Sequence, residues 1–169
     1  PTSLLCNTVG DQLKIKDSLS KVYGVSIKDR GAILSTGALA DGAYWLNYDA
    51  KWITSSFYRN NLPEWVVKFH ENYSIESYMN NSWMGKTFKY DLNKIFLETG
   101  PSSIKSSPKG NNYTLDFSIE LIKNEDLGKD YHTDFLVISF SSTDYVGHKY
   151  GPDAEEVKSI YLNLDQQIA

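Results

Sequence analysis

Two short apolar runs, placed far apart in the chain, limit the possible folds more than any other feature of the sequence. Both are rich in β-branched and aromatic side chains, and each predicts a buried strand: VYGVSI at residues 22–27 and DFLVISF at residues 134–140. Each run follows a helical pattern, which covers residues 8–21 in the first case and residues 112–128 in the second. Strands that alternate with helices favour a parallel sheet with helices on its faces, so we expect an α/β fold.

The segment between these two units is less regular. Two aromatic, β-prone runs flank Asn47–Lys51 and predict a hairpin over residues 43–56, and a helix is predicted over residues 62–73. Many Ser, Asn, Lys and Gly residues occur at 74–112, which favours a surface excursion with one or two short helices. A last helix is predicted to begin near Pro152, because the apolar residues that follow it share one side.

We predict one partial domain over residues 1–169, because a chain of 169 residues suits a single domain with a sizeable core. Its two core α/β units are predicted at residues 1–42 and 112–169, and the hairpin, the helix and the excursion occupy residues 43–111. The sequence begins without Met and ends inside a helical pattern. We therefore expect it to be a central piece of a longer protein.

Composition and charge exclude several classes of protein. The chain has 17 Lys+Arg and 21 Asp+Glu residues, and the resulting net charge of −4 argues against mainly electrostatic binding to nucleic acid. Cys6 is the only cysteine, so neither an intrachain disulfide nor a thiolate metal cluster can form. No apolar run is long enough to span a membrane. We expect no nucleic-acid partner and no membrane partner, and the oligomeric state stays open.

Polar residues follow both predicted strands at the point where each strand ends. The carboxyl ends of parallel strands meet at one edge of the sheet, where such folds bind ligands. After the first strand, Lys28 and Arg30 are two positions apart, and in an extended exit their side chains would point the same way. Two cations on one side can hold an oxyanion. The alternative is a solvated loop in which they only flank Asp29.

After the second strand, Asp144 and His148 are four positions apart. A carboxylate and an imidazole can share a zinc ion or a similar divalent metal. The pair is useful only if the chain curls, because four extended residues span about 13 Å, whereas a helical turn or tight loop brings them within about 6 Å. Gly147 would make such a bend easy. The alternative is that Asp144 caps the next turn and His148 lies in a surface loop.

Other candidate side chains are weaker. His70 lies in a predicted helix, which favours a surface or packing role, and His132 lies in a loop before the second strand, where it is expected to be solvated. Three hydroxyl residues could act as nucleophiles, but the sequence places no base beside them: Ser141, Ser142 and Thr143. We interpret them as a small strand exit that leaves room for a ligand.

Three segments of the chain resemble the PafA-type bacterial alkaline phosphatases, which belong to the alkaline phosphatase superfamily beside the type I phosphodiesterases and nucleotide pyrophosphatases. The resemblance covers nearly the whole chain, is weakest at 74–106, and is most specific in SIKDRGAI and STDYVGHKYGP. It implies part of a parallel-sheet, alkaline-phosphatase-like sandwich with helices on both faces. It also implies a zinc-dependent phosphate monoesterase, in which Asp144 and His148 ligate one of two zinc ions and Lys28 and Arg30 hold the phosphate oxygens.

The resemblance also implies residues that this chain lacks. The family uses a threonine nucleophile and a metal-binding aspartate that precede the matching segment, and an Asp-His pair and a further His that follow it. We therefore expect no catalytic nucleophile within the chain, weak zinc binding and no appreciable catalysis by the chain alone. The implied substrate is a small-molecule phosphate ester, and the implied location of the full-length protein is the periplasm or the exterior.

Two alternatives remain open. One is a phosphodiesterase or nucleotide pyrophosphatase of the same superfamily, and the other is a non-catalytic α/β binding domain.

Overall fold

The computed structural model describes residues 5–169, so the first four residues of the predicted domain lie outside the described residues. The elements follow one another in this order: α1 (Val9–Lys16), β1 (Val22–Ser26), α2 (Asp29–Thr36), β2 (Gly42–Leu46), β3 (Trp52–Ile53), α3 (Glu64–Asn72), α4 (Ile75–Met79), β4 (Ser82–Met84), β5 (Lys89–Asp91), α5 (Leu92–Thr99), a 3₁₀ helix (Pro101–Ser106), α6 (Pro108–Asn124), β6 (Phe135–Ser139), α7 (Ser142–Tyr150) and α8 (Glu155–Ile168).

A four-stranded, mostly parallel sheet forms the centre of the molecule. Its strand order is β3-β2-β1-β6, and β1 is parallel to both β2 and β6. This confirms the predicted α/β class. The hairpin predicted over 43–56 is present as the antiparallel pair of β2 and β3, but β2 also joins the main sheet beside β1. No helix in the described part of the chain is long and apolar enough to cross a bilayer.

Successive side chains of β1 point to opposite faces of the sheet, and helices pack against both faces. On one face a small residue lets α2 come close: a Cβ added at Gly24 would lie 2.4 Å from the carbonyl oxygen of Ala32. The other face carries larger apolar side chains, which join the buried core on the side of α6: Tyr23, Val25 and Ile27. The sheet is therefore packed between α2 and α6. The residues that follow the strands lie at its carboxyl edge.

Aromatic rings fill the core between the sheet and α6. Trp52 of β3 stacks on Phe117 of α6 with ring centroids 4.3 Å apart, and Tyr44 meets the same Phe117 edge-on at 5.4 Å. Such ring pairs contribute about 0.5–1.5 kcal/mol beyond their area burial. They attach the antiparallel end of the sheet to α6.

Two helices were not predicted, and both begin at a strand exit. Lys28 is the N-cap residue of α2, and α7 begins at Ser142. Both helices are short and contain a glycine, so their intrinsic helix propensity is weak and packing against neighbouring elements stabilises them. In addition, α6 begins at Pro108, four residues before the predicted start, where the Ser107 hydroxyl accepts a hydrogen bond from the Lys109 N–H at 3.3 Å.

Candidate functional site

Three strand exits lie side by side at the carboxyl edge of the sheet. Ser26 of β1 pairs with Ser139 of β6, and the hydroxyl oxygens of Ser26 and Ser141 are 3.0 Å apart. On the other side of β1, the Leu46 N–H donates to the Ile27 carbonyl at 3.4 Å. The expected meeting of the two charged exits at one edge is therefore present.

Lys28 crosses from the exit of β1 to the helix that follows β6. Its backbone is extended (φ −95°, ψ 131°), and its N–H donates to the Ser26 hydroxyl at 3.1 Å. Its ammonium donates a hydrogen bond to the Asp144 carboxylate and also lies 4.8 Å from the centroid of the Tyr145 ring. A predicted phosphate-binding residue is thus in contact with a predicted metal ligand.

Asp144 and His148 converge, as the sequence predicted, but on a helix. Asp144 Oδ1 and His148 Nε2 lie 3.3 Å apart across one turn of α7. The predicted role of Gly147 as a bend is wrong, because Gly147 lies inside this helix and the spacing of four follows from the helix itself. A hydrogen bond from Lys28, followed by the charge of Lys28 and the nearby His148, holds the pKa of Asp144 below its usual range. The carboxylate is therefore ionised at neutral pH.

The Asp144 Oδ1 and His148 Nε2 atoms are spaced like two ligands of one zinc ion. Nitrogen and oxygen ligands about 2.0–2.1 Å from a tetrahedral zinc ion lie about 3.3–3.4 Å apart, which matches the observed 3.3 Å between Asp144 and His148. Both side chains are accessible, with 47% of the Asp144 side chain and 80% of the His148 side chain exposed. Within residues 5–169, however, no group of three or more metal-ligating side chains converges. The described residues therefore offer two ligands, where zinc sites use three or four.

Arg30 differs from its predicted conformation. It lies in the first turn of α2, and its backbone N–H donates to the Asp29 carboxylate at 2.7 Å. Because Arg30 is helical and not extended, the predicted alignment of its side chain with that of Lys28 does not follow from the backbone. Arg30 is exposed beside the same sheet edge, and its role stays a prediction.

The two other histidines make contacts with residues other than Lys28 and Asp144. The Nε2 atom of His70 accepts a hydrogen bond from the Trp52 N–H at 3.0 Å, and burial lowers its pKa. This agrees with a packing role. His132 precedes β6, at the opposite edge of the sheet, and its Nδ1 lies 2.7 Å from an Asp17 carboxylate oxygen. That hydrogen bond raises the pKa of His132.

The hydroxyl residues after β6 are mostly enclosed. Ser142 is fully buried against Gly110 of α6, and a Cβ at Gly110 would lie 2.1 Å from the Ser142 hydroxyl. Ser141 is 6% exposed and hydrogen-bonds to its neighbours. These residues let α6 and α7 approach the strand exit closely. Sequence reasoning missed Tyr145, because its contact with Lys28 depends on a helix that the local pattern did not predict.

Several known proteins are similar in sequence to this chain. The model of the type I phosphodiesterase / nucleotide pyrophosphatase family matches residues 26–169. The chain is 39% identical to a protein from Myroides odoratus named calcium-transporting ATPase, over 100% of this chain and 36% of that protein. It is 40% identical to alkaline phosphatase PhoV of Synechococcus elongatus, over 99% of this chain and 36% of PhoV.

A solved structure is similar over almost the whole chain. The crystal structure of wild type alkaline phosphatase PafA superposes with a TM-score of 0.90 at 36% sequence identity, over 96% of this chain and 36% of that one. The chain thus spans about 36% of the length of each of these three proteins.

Proposed function

Because the chain belongs to the type I phosphodiesterase / nucleotide pyrophosphatase family and is similar to its PafA-type alkaline phosphatases, we propose that the full-length protein hydrolyses phosphate monoesters with zinc as its cofactor. One observation carries this proposal: the Asp144 and His148 donor atoms lie 3.3 Å apart at the sheet edge where Lys28 also contacts Asp144. Metal ligands beside a cation suit the binding of a phosphoryl group.

Each of these residues has a separate role in the proposal. Asp144 and His148 hold one of two zinc ions, whose positive charge would activate a nucleophile and stabilise a leaving oxygen. Lys28 and Arg30 bind the non-bridging phosphate oxygens. Two cations favour a monoester over a diester, because a monoester dianion carries the additional negative charge.

The remaining parts of the proposal rest on the resemblance. The nucleophile is a threonine outside residues 1–169, so that the chain alone binds zinc weakly and has no appreciable activity. The substrate is a small-molecule phosphate ester, and the full-length protein acts in the periplasm or outside the cell.

A second candidate is a phosphodiesterase or nucleotide pyrophosphatase. It is favoured by the match to the family model, because that family is named for these two activities. The two candidates differ in the use of Lys28 and Arg30, since a diester has one negative charge fewer for these cations to bind.

The test is zinc-dependent hydrolysis by the full-length protein of an aryl phosphate monoester and of the matching diester. We expect the monoester to be preferred and its turnover to fall by about 100-fold or more in Asp144→Asn, since second-shell changes alone cost 10- to 100-fold. Asp17→Asn is the matched control, because Asp17 also pairs with a histidine but at the opposite sheet edge. Diester preference, or full activity in Asp144→Asn, would refute the proposal.

A further inference from the structure

Lys28 has two neighbours on α7, and they differ in what they do to its charge. Asp144 accepts a hydrogen bond from the ammonium, and the Tyr145 ring centroid lies 4.8 Å from it. A carboxylate neutralises an ammonium, whereas an aromatic ring attracts it through its quadrupole and leaves the charge free to bind an anion. The two neighbours are therefore not equivalent in a site for phosphate.

The Tyr145 ring is a fixed platform. Tyr145 is half-buried and packs against the hydrophobic core, and its N–H donates to the Ser141 carbonyl at 3.2 Å in the first turn of α7. A ring that is held by the core loses little side-chain entropy when it binds a cation. Lys28, by contrast, is a flexible side chain that needs an external contact to keep its ammonium in place.

We propose that Tyr145 is a positioning residue that keeps the Lys28 ammonium at the phosphate-binding edge once a metal ion engages Asp144. This inference rests on the proposed function, because it assumes that Asp144 is a metal ligand and that Lys28 binds phosphate. A divalent cation on Asp144 would take over the negative charge and repel the ammonium. The ring face keeps its attraction, because the ring carries no net charge for the metal to neutralise.

A double-mutant cycle tests this role with the zinc-loaded full-length protein. The affinity for inorganic phosphate is measured by calorimetry in wild type, Tyr145→Leu, Lys28→Ala and the double variant, with zinc content checked for each. We expect Tyr145→Leu to weaken phosphate binding by about 3- to 10-fold, the range of a partly exposed cation–π contact. In the Lys28→Ala background the same change has no further effect. Tyr145→Phe, which keeps the ring, stays within about twofold of wild type.

An equal loss in the Lys28→Ala background would overturn the inference, because Tyr145 would then act by supporting the fold. The absence of phosphate binding in wild type would overturn it too. Tyr150→Leu is the matched control, since Tyr150 lies on the same helix under Lys149, at 5.1 Å, and we expect phosphate affinity to be unchanged.

The outcome is separable from that of the proposed function. Coupled loss of phosphate affinity in a protein that does not turn over monoesters would refute the proposed activity and support the role of Tyr145. Monoester turnover, combined with losses of phosphate affinity that simply add in the double variant, would support the proposed activity and refute the role of Tyr145.

Discussion

The ammonium of Lys28 contacts the carboxylate of Asp144, and this contact joins the exit of the central strand β1 to the helix that follows β6. It connects a residue proposed to bind phosphate with a residue proposed to bind metal. The same carboxylate also approaches His148 through its other oxygen, at 3.3 Å. Asp144 is therefore the residue at which the two halves of the candidate site meet.

Removing the Lys28 side chain should change the affinity for zinc and the affinity for phosphate in opposite directions. If Asp144 is a zinc ligand as proposed, Lys28 competes with the metal ion for its carboxylate, and we expect Lys28→Met to tighten zinc binding by about 2- to 5-fold, the scale of a partly exposed ion pair. Phosphate binding should weaken in the same variant. Competition with a chelating dye measures the first effect, and calorimetry measures the second.

Lys14→Met is the control for this pair of measurements. Lys14 also pairs with an aspartate, Asp41, at 2.9 Å, but before β2 and so at the opposite edge of the sheet. Its loss should leave zinc affinity unchanged. If Lys28→Met weakened zinc binding, the idea that Lys28 competes for Asp144 would have to be abandoned.

Two glycines near the site should respond to alanine with opposite signs. A Cβ at Gly31 would lie 2.5 Å from the Ser26 hydroxyl, so Gly31→Ala forces α2 away from the sheet. We expect this to lower the free energy of unfolding by about 1–3 kcal/mol. Gly147 has open space around its Cβ position inside α7, and Gly147→Ala should raise the free energy of unfolding by about 0.5–1 kcal/mol. Urea unfolding of the two variants compares them directly, and destabilisation by Gly147→Ala would contradict the helical environment described for it.

Glu125 should matter for stability, because it joins three separate elements. Its carboxylate accepts hydrogen bonds from the Tyr23 hydroxyl at 2.7 Å, from Arg59 at 2.8 Å and from the Trp65 indole at 3.0 Å. Glu125→Gln removes the charge that pairs with Arg59 and one of the acceptor oxygens. We expect the free energy of unfolding to fall by about 1–3 kcal/mol, as measured by urea denaturation.

Glu120→Gln provides the comparison for Glu125. Glu120 lies on α6, which Glu125 caps, and its carboxylate contacts two exposed side chains, Lys123 at 2.8 Å and Asn124 at 3.5 Å. Its loss should change the free energy of unfolding by about 0.5 kcal/mol or less. Equal effects of the two substitutions would mean that the Glu125 network contributes no more than a surface pair.

The contributions of His70 and His132 to folding stability should depend on pH in opposite directions. Burial lowers the pKa of His70, so its neutral form supports the fold above the ordinary value of 6.5, and that contribution is lost as the pH falls through the lower folded pKa. The hydrogen bond to Asp17 raises the pKa of His132, so its contribution is present below 6.5 and is lost as the pH rises through the higher folded pKa.

Melting temperatures between about pH 5 and pH 8, the range in which histidine titrates, measure both effects. His70→Gln should flatten the decline in stability towards acid, and His132→Gln should flatten the decline towards alkali. Unchanged profiles in both variants would show that neither histidine changes its pKa on folding.

The sequence by itself determined the local elements whose pattern is strong. Apolar, β-branched runs specified β1 and β6 as strands. The predicted burial holds along the whole of β1 but not for β6, whose residues are all half-buried because β6 is the last strand of the sheet order and has a neighbour on one side. The helical pattern predicted from residue 8 located the start of α1 in the same way, and Thr8 and Asp11 form a capping box there, although α1 ends at Lys16 and not at residue 21. Strand polarity was sufficient to predict that the exits carrying Lys28 and Asp144 meet at one edge.

Only the tertiary structure decided what these exits become. α2 and α7 are short, glycine-containing helices, and isolated helices of that length are unstable, so the packing of the sheet and of α6 determines them. The contact of Lys28 with Asp144 and Tyr145 likewise joins residues far apart in sequence. Local patterns carry no information on such a contact, because it forms only when β1 and β6 pair and α7 is folded.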